Sequence, residues 1–262
     1  MNGLDSNHQA FDTVPHVRLL KKLEGYGVRG GILNWVKAFL ENRQQFVKIN
    51  NSSSKNLPVT SGVPQGSVLG PTLFIYFIND LPLVTTLKTK IFADDTKLFT
   101  SISDKDDQIK LQEAIDNMYQ WTQTWLLKFN EKKCKVLHIG KNNKQYKYYI
   151  GEDSNKTELE VTDLEKDLGV NIDPLLTFKN HIKITVKKST AVSFNIIRNF
   201  TFRTPDVLVP LFKSLVRPIL EYGNPVWNDC LKKHIFLIEQ VQRKFTKFIH
   251  CVRNFSYEER LF

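Results

Sequence analysis

Two adjacent carboxylates, Asp94 and Asp95, are the residues of this chain best suited to chemistry. They lie between two short stretches with the composition of strands, 88–93 and 96–100, which predicts a hairpin with both aspartates at its tip. Like charges side by side repel, and a divalent cation would offset that repulsion. Mg²⁺ takes one or two protein carboxylates and completes its coordination with water and substrate phosphates. Two such ions, about 4 Å apart, are the usual arrangement for phosphoryl transfer in polymerases and nucleases.

A solvated Asp-Asp turn is the alternative interpretation of this pair, because Asp favours turns through local hydrogen bonds. Taken alone, the dipeptide favours that turn, since short motifs often match by chance. The wider sequence context described below favours the metal site.

The composition is that of a folded protein with a sizeable core. The chain has 262 residues, of which 41% are hydrophobic and 24% charged, and its length predicts two units. The three cysteines are far apart, with no C-x-x-C pair, which argues against a disulfide framework and a zinc site. No apolar run is long enough to span a bilayer, and no secretory segment is present at the start. We therefore expect an intracellular protein of the nucleus and/or cytoplasm, neither secreted nor membrane-bound.

The net charge of +10 is concentrated near the end of the chain. From Leu176 onward there are 15 Lys and Arg residues against six Asp and Glu, a net charge of +9. A basic region of this kind attracts a phosphate backbone, although charge alone is equally compatible with a solvated surface.

The hydrophobic pattern predicts mixed secondary structure. Apolar residues at helical spacing predict helices over 15–24, 32–40, 72–81, 109–127 and 235–249. Alternation predicts a strand over 45–50, a polar turn over 51–56 and a returning strand over 57–60. Trp121 and Trp125 fit the apolar face of their helix, which favours a core role over base stacking.

Three segments taken together resemble the reverse transcriptase of non-LTR (LINE-type, jockey-like) retrotransposons. They are Ala10-Phe11-Asp12-Thr13-Val14-Pro15-His16, Gly62-Val63-Pro64-Gln65-Gly66-Ser67-Val68-Leu69-Gly70-Pro71 and Phe92-Ala93-Asp94-Asp95. Later matches include Asn130 with Lys133-Cys134, and Leu168-Gly169-Val170 with His181. The second and third segments, in this order and separated by roughly 25 residues, form a far more specific signal than one short motif.

The resemblance implies an α+β fold: a reverse-transcriptase palm of antiparallel sheet backed by helices, followed by a mostly helical thumb. On this basis we expect a partial palm over residues 1–140, lacking the fingers and the upstream endonuclease. A hinge of short strands is expected over 141–175, and a basic helical thumb over 176–262.

The resemblance also implies an RNA-directed DNA polymerase with two Mg²⁺ ions, or Mn²⁺ in their place. Its expected partners are an RNA template, a DNA primer and dNTPs. The implied catalytic residues are Asp94, Asp95, Asp5 and Lys133, and the first three of these would hold the metal ions. The implied nucleotide- and template-binding residues are Phe11, Pro64, Gln65, Gly66 and Ser67. A bulky Phe11 would select against a 2′-hydroxyl, and Lys133 would protonate the leaving pyrophosphate.

The position of Asp5 departs from the family pattern. The resemblance places the first catalytic aspartate five residues before Phe11, where this chain has Ser6. A one-residue shift along a strand sends a side chain to the opposite face, and a bulge would be needed to restore its direction. We therefore expect a truncated copy whose activity is reduced or lost.

Two other functions compete with the polymerase. A non-catalytic remnant would bind nucleic acid through the basic C-terminal region, with a steep dependence on salt and none on Mg²⁺. A metal-dependent nuclease built on Asp94 and Asp95 is less favoured, because no further acidic cluster or His-rich motif completes such a site.

Overall fold

The computed structural model describes residues 9–152, 155–228 and 231–261, and these form two compact units. The described residues of unit 1 fall within Met1–Val136 and Asn143–Val161. Those of unit 2 fall within Leu137–Asn142 and Thr162–Phe262.

Helices form most of the described part of unit 1. They are α1 (Gln9–Thr13), α2 (His16–Gly25), α3 (Gly30–Leu40), α4 (Leu69–Ile78) and α5 (Lys105–Trp125), with 3₁₀ turns at Leu81–Val84 and Glu131–Lys133. The long helix α5 has well-defined ends. Asp104 caps it by accepting the backbone N–H of Asp107 at 3.0 Å, and Leu126 ends it in the left-handed conformation, with φ of 55°.

The strands of unit 1 are short and pair two by two. They are β1 (Gln44–Gln45), β2 (Lys48–Ile49), β3 (Ser52–Ser53), β4 (Leu57–Pro58), β5 (Lys88–Phe92), β6 (Asp95–Phe99), β7 (Lys135–Val136), β8 (Tyr149–Ile150), β9 (Thr157–Glu158) and β10 (Glu160–Val161). Strand β1 pairs with β4, β2 with β3, β5 with β6 and β8 with β9, all antiparallel, while β7 and β10 run parallel. With strands this short, side-chain packing has to stabilise the unit.

The core of unit 1 is built mainly from the apolar faces of α2, α4 and α5. Its largest fully buried side chains are Leu19, Leu40, Phe74, Phe77, Ile78, Leu81, Met118 and Leu127. Trp121 is buried with them, and Trp125 packs against the same core from a half-buried position, as their helical spacing predicted.

A charged side chain, Lys22 of α2, is also buried in this core. Its ammonium group donates to the carboxylate of Asp80 and to the carbonyl oxygen of Phe77, both at 2.5 Å. It also lies 3.8 Å from the ring centre of Trp125 and 4.5 Å from that of Trp121. The lysine therefore joins three elements distant in sequence through one ion pair and several cation–π contacts.

Burial destabilises the charged form of Lys22, because the ammonium group loses its hydration. It lowers the pKa of the lysine from 10.5 to about 8, against the opposing hydrogen bond and attraction of Asp80. Trp121 Nε1 donates to the same Asp80 oxygen at 3.1 Å, which fixes the carboxylate in place.

Unit 2 is mostly helical. Its elements are β11 (Glu165–Asp167), β12 (Val170–Ile172), α6 (Lys179–Asn199), α7 (Pro205–Leu211), a π-helical turn (Phe212–Val216), α8 (Arg217–Glu221), α9 (Asn224–Trp227), α10 (Lys232–Thr246) and a 3₁₀ turn (Glu259–Leu261). Strands β11 and β12 pair antiparallel. The main core of the unit is formed by Ile196, Ile197, Leu208, Phe212, Val216, Leu220, Val241, Phe245 and Ile249.

Asp173 organises the turn that leads into α6. Its carboxylate accepts the backbone N–H groups of Leu175, Thr177 and Phe178 at 3.2, 3.0 and 2.7 Å, and the hydroxyl of Thr177 at 3.1 Å. Burial alone would raise the pKa of this carboxyl, but the hydrogen bonds hold it below its ordinary value.

These elements confirm the α+β prediction and most of the expected helices. The prediction for the segment around residue 50 was wrong in one detail. The chain turns at Asn50–Asn51, where Asn50 has φ of 53°, and residues 52–53 already return as β3. Asparagine tolerates this conformation, so a two-residue turn replaces the longer polar turn. No helix within the described ranges is both long and apolar enough to cross a membrane.

The buried lysine predicts an unusual pH dependence. Above about pH 8 the folded chain releases the Lys22 proton, while the unfolded chain keeps it up to its ordinary pKa of 10.5. The unfolded state then binds more protons, so stability from this group rises with pH across the window, by at most about 1.4 kcal/mol per pH unit. In Lys22→Met this contribution is lost.

Chemical denaturation of both proteins between about pH 8 and pH 10 measures the effect as a difference, which cancels the other titrating groups. The wild-type protein should gain roughly 1–2 kcal/mol relative to the variant. A difference that stays constant with pH would contradict the lowering of the Lys22 pKa by burial.

Candidate active site

The paired aspartates lie on the β5–β6 hairpin, as the sequence pattern predicted. Phe92 pairs with Asp95, which leaves Ala93 and Asp94 as the two-residue turn. Ala93 has φ of 50°, a left-handed conformation that costs an L-residue roughly 1–2 kcal/mol. Strain of this size persists only where the surroundings hold the turn in one shape, and it is frequent at functional sites.

Both aspartate side chains are half-buried, and the next residue, Thr96, is fully buried. The hairpin is anchored to the core of unit 1, because Ile91 and Leu98 pack against that core. The two carboxylates therefore lie on a short hairpin that core contacts hold in place.

The donor set of the hairpin fits Mg²⁺, which needs only one or two protein carboxylates and prefers oxygen. Within the described ranges, no group of three or more His, Cys, Asp and Glu side chains is arranged to hold a metal ion. Asp94 and Asp95 place two carboxylates next to each other on the hairpin, and their role as metal ligands stays a prediction. Asp5, the third expected ligand, lies outside the described residues.

Phe11 lies on the short helix α1 and stacks on Phe74 of α4, with ring centres 4.3 Å apart and planes inclined by 23°. The ring is half-buried and packs against the same core as the β5–β6 hairpin. The backbone oxygen of Phe11 accepts the N–H of Val63 at 2.8 Å, which joins it to the loop before α4. The same hydrophobic core thus positions both Phe11 and the hairpin that carries the aspartates.

The loop before α4, residues 61–68, is docked onto α1 and the residues just after it through its backbone. Gly62 donates its N–H to the carbonyl of Val14 at 2.8 Å, and its own carbonyl contacts His16 Nε2 at 2.8 Å. A Cβ at Gly62 would lie 2.6 Å from Cα of Asp12, and its φ of 88° also favours glycine. The close approach of two backbones therefore requires glycine at this position.

The second half of the loop is a tight turn held by Ser67. Its hydroxyl donates to the carbonyl of Pro64 at 2.7 Å and accepts the N–H of Gly70 at 2.9 Å. Gly66 has φ of 79°, and nothing lies within 4 Å of the position that a Cβ would take. The backbone at Gly66 is therefore open to an approaching ligand.

Asp12 is a member of this cluster that sequence reasoning did not select. Its exposed carboxylate accepts a long hydrogen bond of 3.4 Å from Gln65 Nε2, and its carbonyl accepts the hydroxyl of Ser61 at 2.8 Å. The signal was present, since Asp12 follows Phe11 directly, but its partner is 53 residues away.

Lys133, the expected proton donor, is half-buried in the 3₁₀ turn that precedes β7. The next residue, Cys134, is buried in a second core cluster of unit 1, and Leu98 of the hairpin packs against that cluster. Burial raises the pKa of the Cys134 thiol to about 11, so it is unreactive. The structure thus places Lys133 beside a fixed core residue, and its role in proton transfer stays a prediction.

Comparison with known proteins defines the family. Residues 6–167 match the reverse transcriptase (RNA-dependent DNA polymerase) family, so the chain belongs to that family. Over 249 residues it is 31% identical to the RNA-directed DNA polymerase from mobile element jockey of Drosophila melanogaster. That match covers 90% of this chain and 27% of the relative.

Two further relatives from Drosophila melanogaster carry similar names. The chain is 26% identical over 251 residues to the probable RNA-directed DNA polymerase from transposon X-element, a match covering 92% of the chain and 27% of the relative. It is 29% identical over 264 residues to that from transposon BS, covering 90% and 27%. The chain thus spans about a quarter of the length of the curated relatives it matches.

The two glycines of the loop give a matched test of its geometry. In Gly66→Ala, the left-handed strain alone should lower the free energy of unfolding by roughly 1–2 kcal/mol. In Gly62→Ala, overpacking against the Asp12 backbone should add roughly 1–3 kcal/mol to that loss. Urea denaturation of the two variants measures both values, and equal losses would show that the loop does not dock on α1 at Gly62.

Proposed function

We propose that this chain is the polymerase part of an RNA-directed DNA polymerase, which extends a DNA primer on an RNA template with dNTPs. The observation that carries the proposal is the strained hairpin of Asp94 and Asp95, anchored on the same core as Phe11 in a chain of the reverse transcriptase family. Names of relatives alone would not assign roles to these residues.

In this proposal Asp94 and Asp95, with Asp5, hold two divalent ions, Mg²⁺ or Mn²⁺. Such ions would lower the pKa of the primer 3′-hydroxyl and neutralise charge on the leaving pyrophosphate. The 3′-hydroxyl would lose its proton to solvent, and its oxygen would form a bond to the α-phosphorus of the dNTP while the bond from that phosphorus to the pyrophosphate oxygen breaks. The carboxylates act by keeping their oxygens in fixed positions, for which the anchored hairpin is well suited.

Phe11 would select the sugar of the incoming nucleotide. Its ring stacks on Phe74, and this contact would oppose any movement of the ring that makes room for a 2′-hydroxyl. The adjoining turn of Pro64, Gln65, Gly66 and Ser67 would contact the nucleotide and template, with Gly66 permitting close approach of the backbone. Lys133 would donate a proton to the departing pyrophosphate.

The finer domain assignment is part of the proposal. Residues 1–140 are assigned to the palm, 141–175 to the hinge and 176–262 to the thumb. The enzyme would act within the cell, in the nucleus or cytoplasm, where its RNA template is available.

A second candidate function, nucleic-acid binding without catalysis, is supported by helix α6. Residues 174–205 contain no Asp or Glu, while Lys179, Lys183, Lys187 and Arg198 are exposed on α6. Helical geometry places these four cations within about 100° of one another around the axis, in a row roughly 30 Å long. Such a row matches a phosphate backbone, and binding through it needs no metal ion.

Primer extension on an RNA template tests the first function. Asp94→Asn and Asp95→Asn should each lower the extension rate by about 100-fold or more, because each removes a proposed metal ligand. Asp106→Asn, which removes an exposed carboxylate from α5, is the matched control and should extend normally. Template binding without Mg²⁺ should persist in all three variants, and extension by Asp94→Asn at the wild-type rate would overturn the assignment.

The salt dependence of duplex binding tests the second function. For an RNA–DNA duplex in EDTA, Lys183→Gln/Lys187→Gln should reduce the slope of log K against log salt by roughly 1.8. The control Lys105→Gln/Lys128→Gln removes two exposed lysines of unit 1 and should leave the slope unchanged. Equal slopes in wild type and the α6 variant would exclude the row as a duplex contact.

A further inference from the structure

A ribbon that is exposed along almost its whole length lies in unit 1 just before the loop of the candidate site. This ribbon, residues 43–59, comprises β1 to β4 folded back on themselves at Asn50–Asn51. All fifteen residues from Gln44 to Pro58 are exposed. A two-stranded ribbon of this kind is only marginally stable in water without a contact on at least one face.

The ribbon carries an unusual number of exposed apolar side chains. Phe46, Val47, Ile49 and Leu57 are 56%, 63%, 67% and 61% exposed. Isolated exposed apolar residues are ordinary, but a group on one small element indicates an interaction surface.

The charge of the ribbon indicates what it contacts. The 38 residues from 42 to 79 contain no Asp or Glu, and their charged side chains, Arg43, Lys48 and Lys55, all belong to the ribbon. The surface is therefore complementary to an anion.

An aromatic ring and two of these cations lie around one short strand pair. Lys48 of β2 pairs with Ser53 of β3. Phe46 lies two residues before Lys48, and Lys55 lies two residues after Ser53, in segments joined where Ser54 donates its backbone N–H to the carbonyl of Val47 at 2.8 Å. An exposed ring with lysines close to it is suited to an unpaired base flanked by its phosphates.

The base of the ribbon is tied to the candidate site. Val59 donates its N–H to the carbonyl of Arg43 at 2.9 Å, which closes the ribbon. Two residues later, Ser61 donates to the carbonyl of Asp12 at 2.8 Å, where the loop docks onto α1. A nucleic-acid strand bound along the ribbon would therefore lead directly to the residues proposed to contact the template.

We propose that the 43–59 ribbon binds single-stranded nucleic acid, with Phe46 stacking on a base and Lys48 and Lys55 contacting phosphates. This inference rests on the proposed polymerase function, because it assigns the ribbon to a strand that enters or leaves that site. Stacking on Phe46 favours unpaired bases over a duplex, whose bases already stack on one another.

Fluorescence anisotropy of the full chain with a labelled single-stranded RNA, in EDTA, tests the proposal. Phe46→Ala should weaken binding roughly fivefold to hundredfold. Lys48→Gln/Lys55→Gln should reduce the slope of log K against log salt by about 1.4, while Lys105→Gln/Lys128→Gln should leave it unchanged. Thermal melts of all variants check that the core of unit 1 is intact.

Three results would overturn the proposal: unchanged binding in both ribbon variants, equal losses in the ribbon and control variants, or a loss confined to the duplex. Unchanged RNA binding with altered self-association of the ribbon variants would instead identify a protein interface. Because the measurement contains no Mg²⁺, it reports RNA binding separately from catalysis. If the chain does not extend primers but Phe46→Ala weakens its RNA binding, the proposed polymerase function is disproved and the proposed role of the ribbon is supported.

Discussion

The close passage of the 61–68 loop over α1 is the constraint on which the candidate site depends. Two N–H groups of the loop, from Gly62 and Val63, pair with carbonyls of Val14 and Phe11. Side chains play no part in these bonds, and a Cβ at residue 62 would prevent them. This crossing brings Gln65 to Asp12 and ties the loop to the segment whose ring stacks on Phe74. In a unit whose strands are only two to five residues long, backbone bonds between loops replace a wide sheet as the frame.

Elements defined by local signals were predictable from the sequence. The β5–β6 hairpin was predicted within one residue at each end, because its strand-forming residues flank an Asp-containing turn. Helix α5 was expected over 109–127 and lies over Lys105–Trp125, with the same apolar face. The error at its start has a physical reason: the first turn is polar, and the capping by Asp104 rather than hydrophobic periodicity defines it.

Features that depend on contacts distant in sequence were not predictable. Nothing near Lys22 distinguishes it from the adjacent Lys21, yet one is buried and the other exposed. Only the fold brings Asp80 and the two tryptophans around its ammonium group. Asp12 was likewise overlooked, because its partner Gln65 is remote in sequence. The turn at Asn50 was missed because the residues from 51 to 56 are equally polar, so that the sequence does not show where the chain turns. Family resemblance supplied the roles of the site residues, but it carries no information on these supporting contacts.

The enclosure of Lys22 also constrains the order in which unit 1 can fold. Its partners Phe77 and Asp80 are 55 and 58 residues away, and Trp121 is further still. Closing loops of this length costs entropy before any contact is gained, which slows folding. An ammonium group gives up its water only when the carboxylate and the rings are already in place. We therefore expect the dehydration of Lys22 to be a late event of folding, and the folding barrier of unit 1 to be set by long-range assembly rather than by formation of its helices.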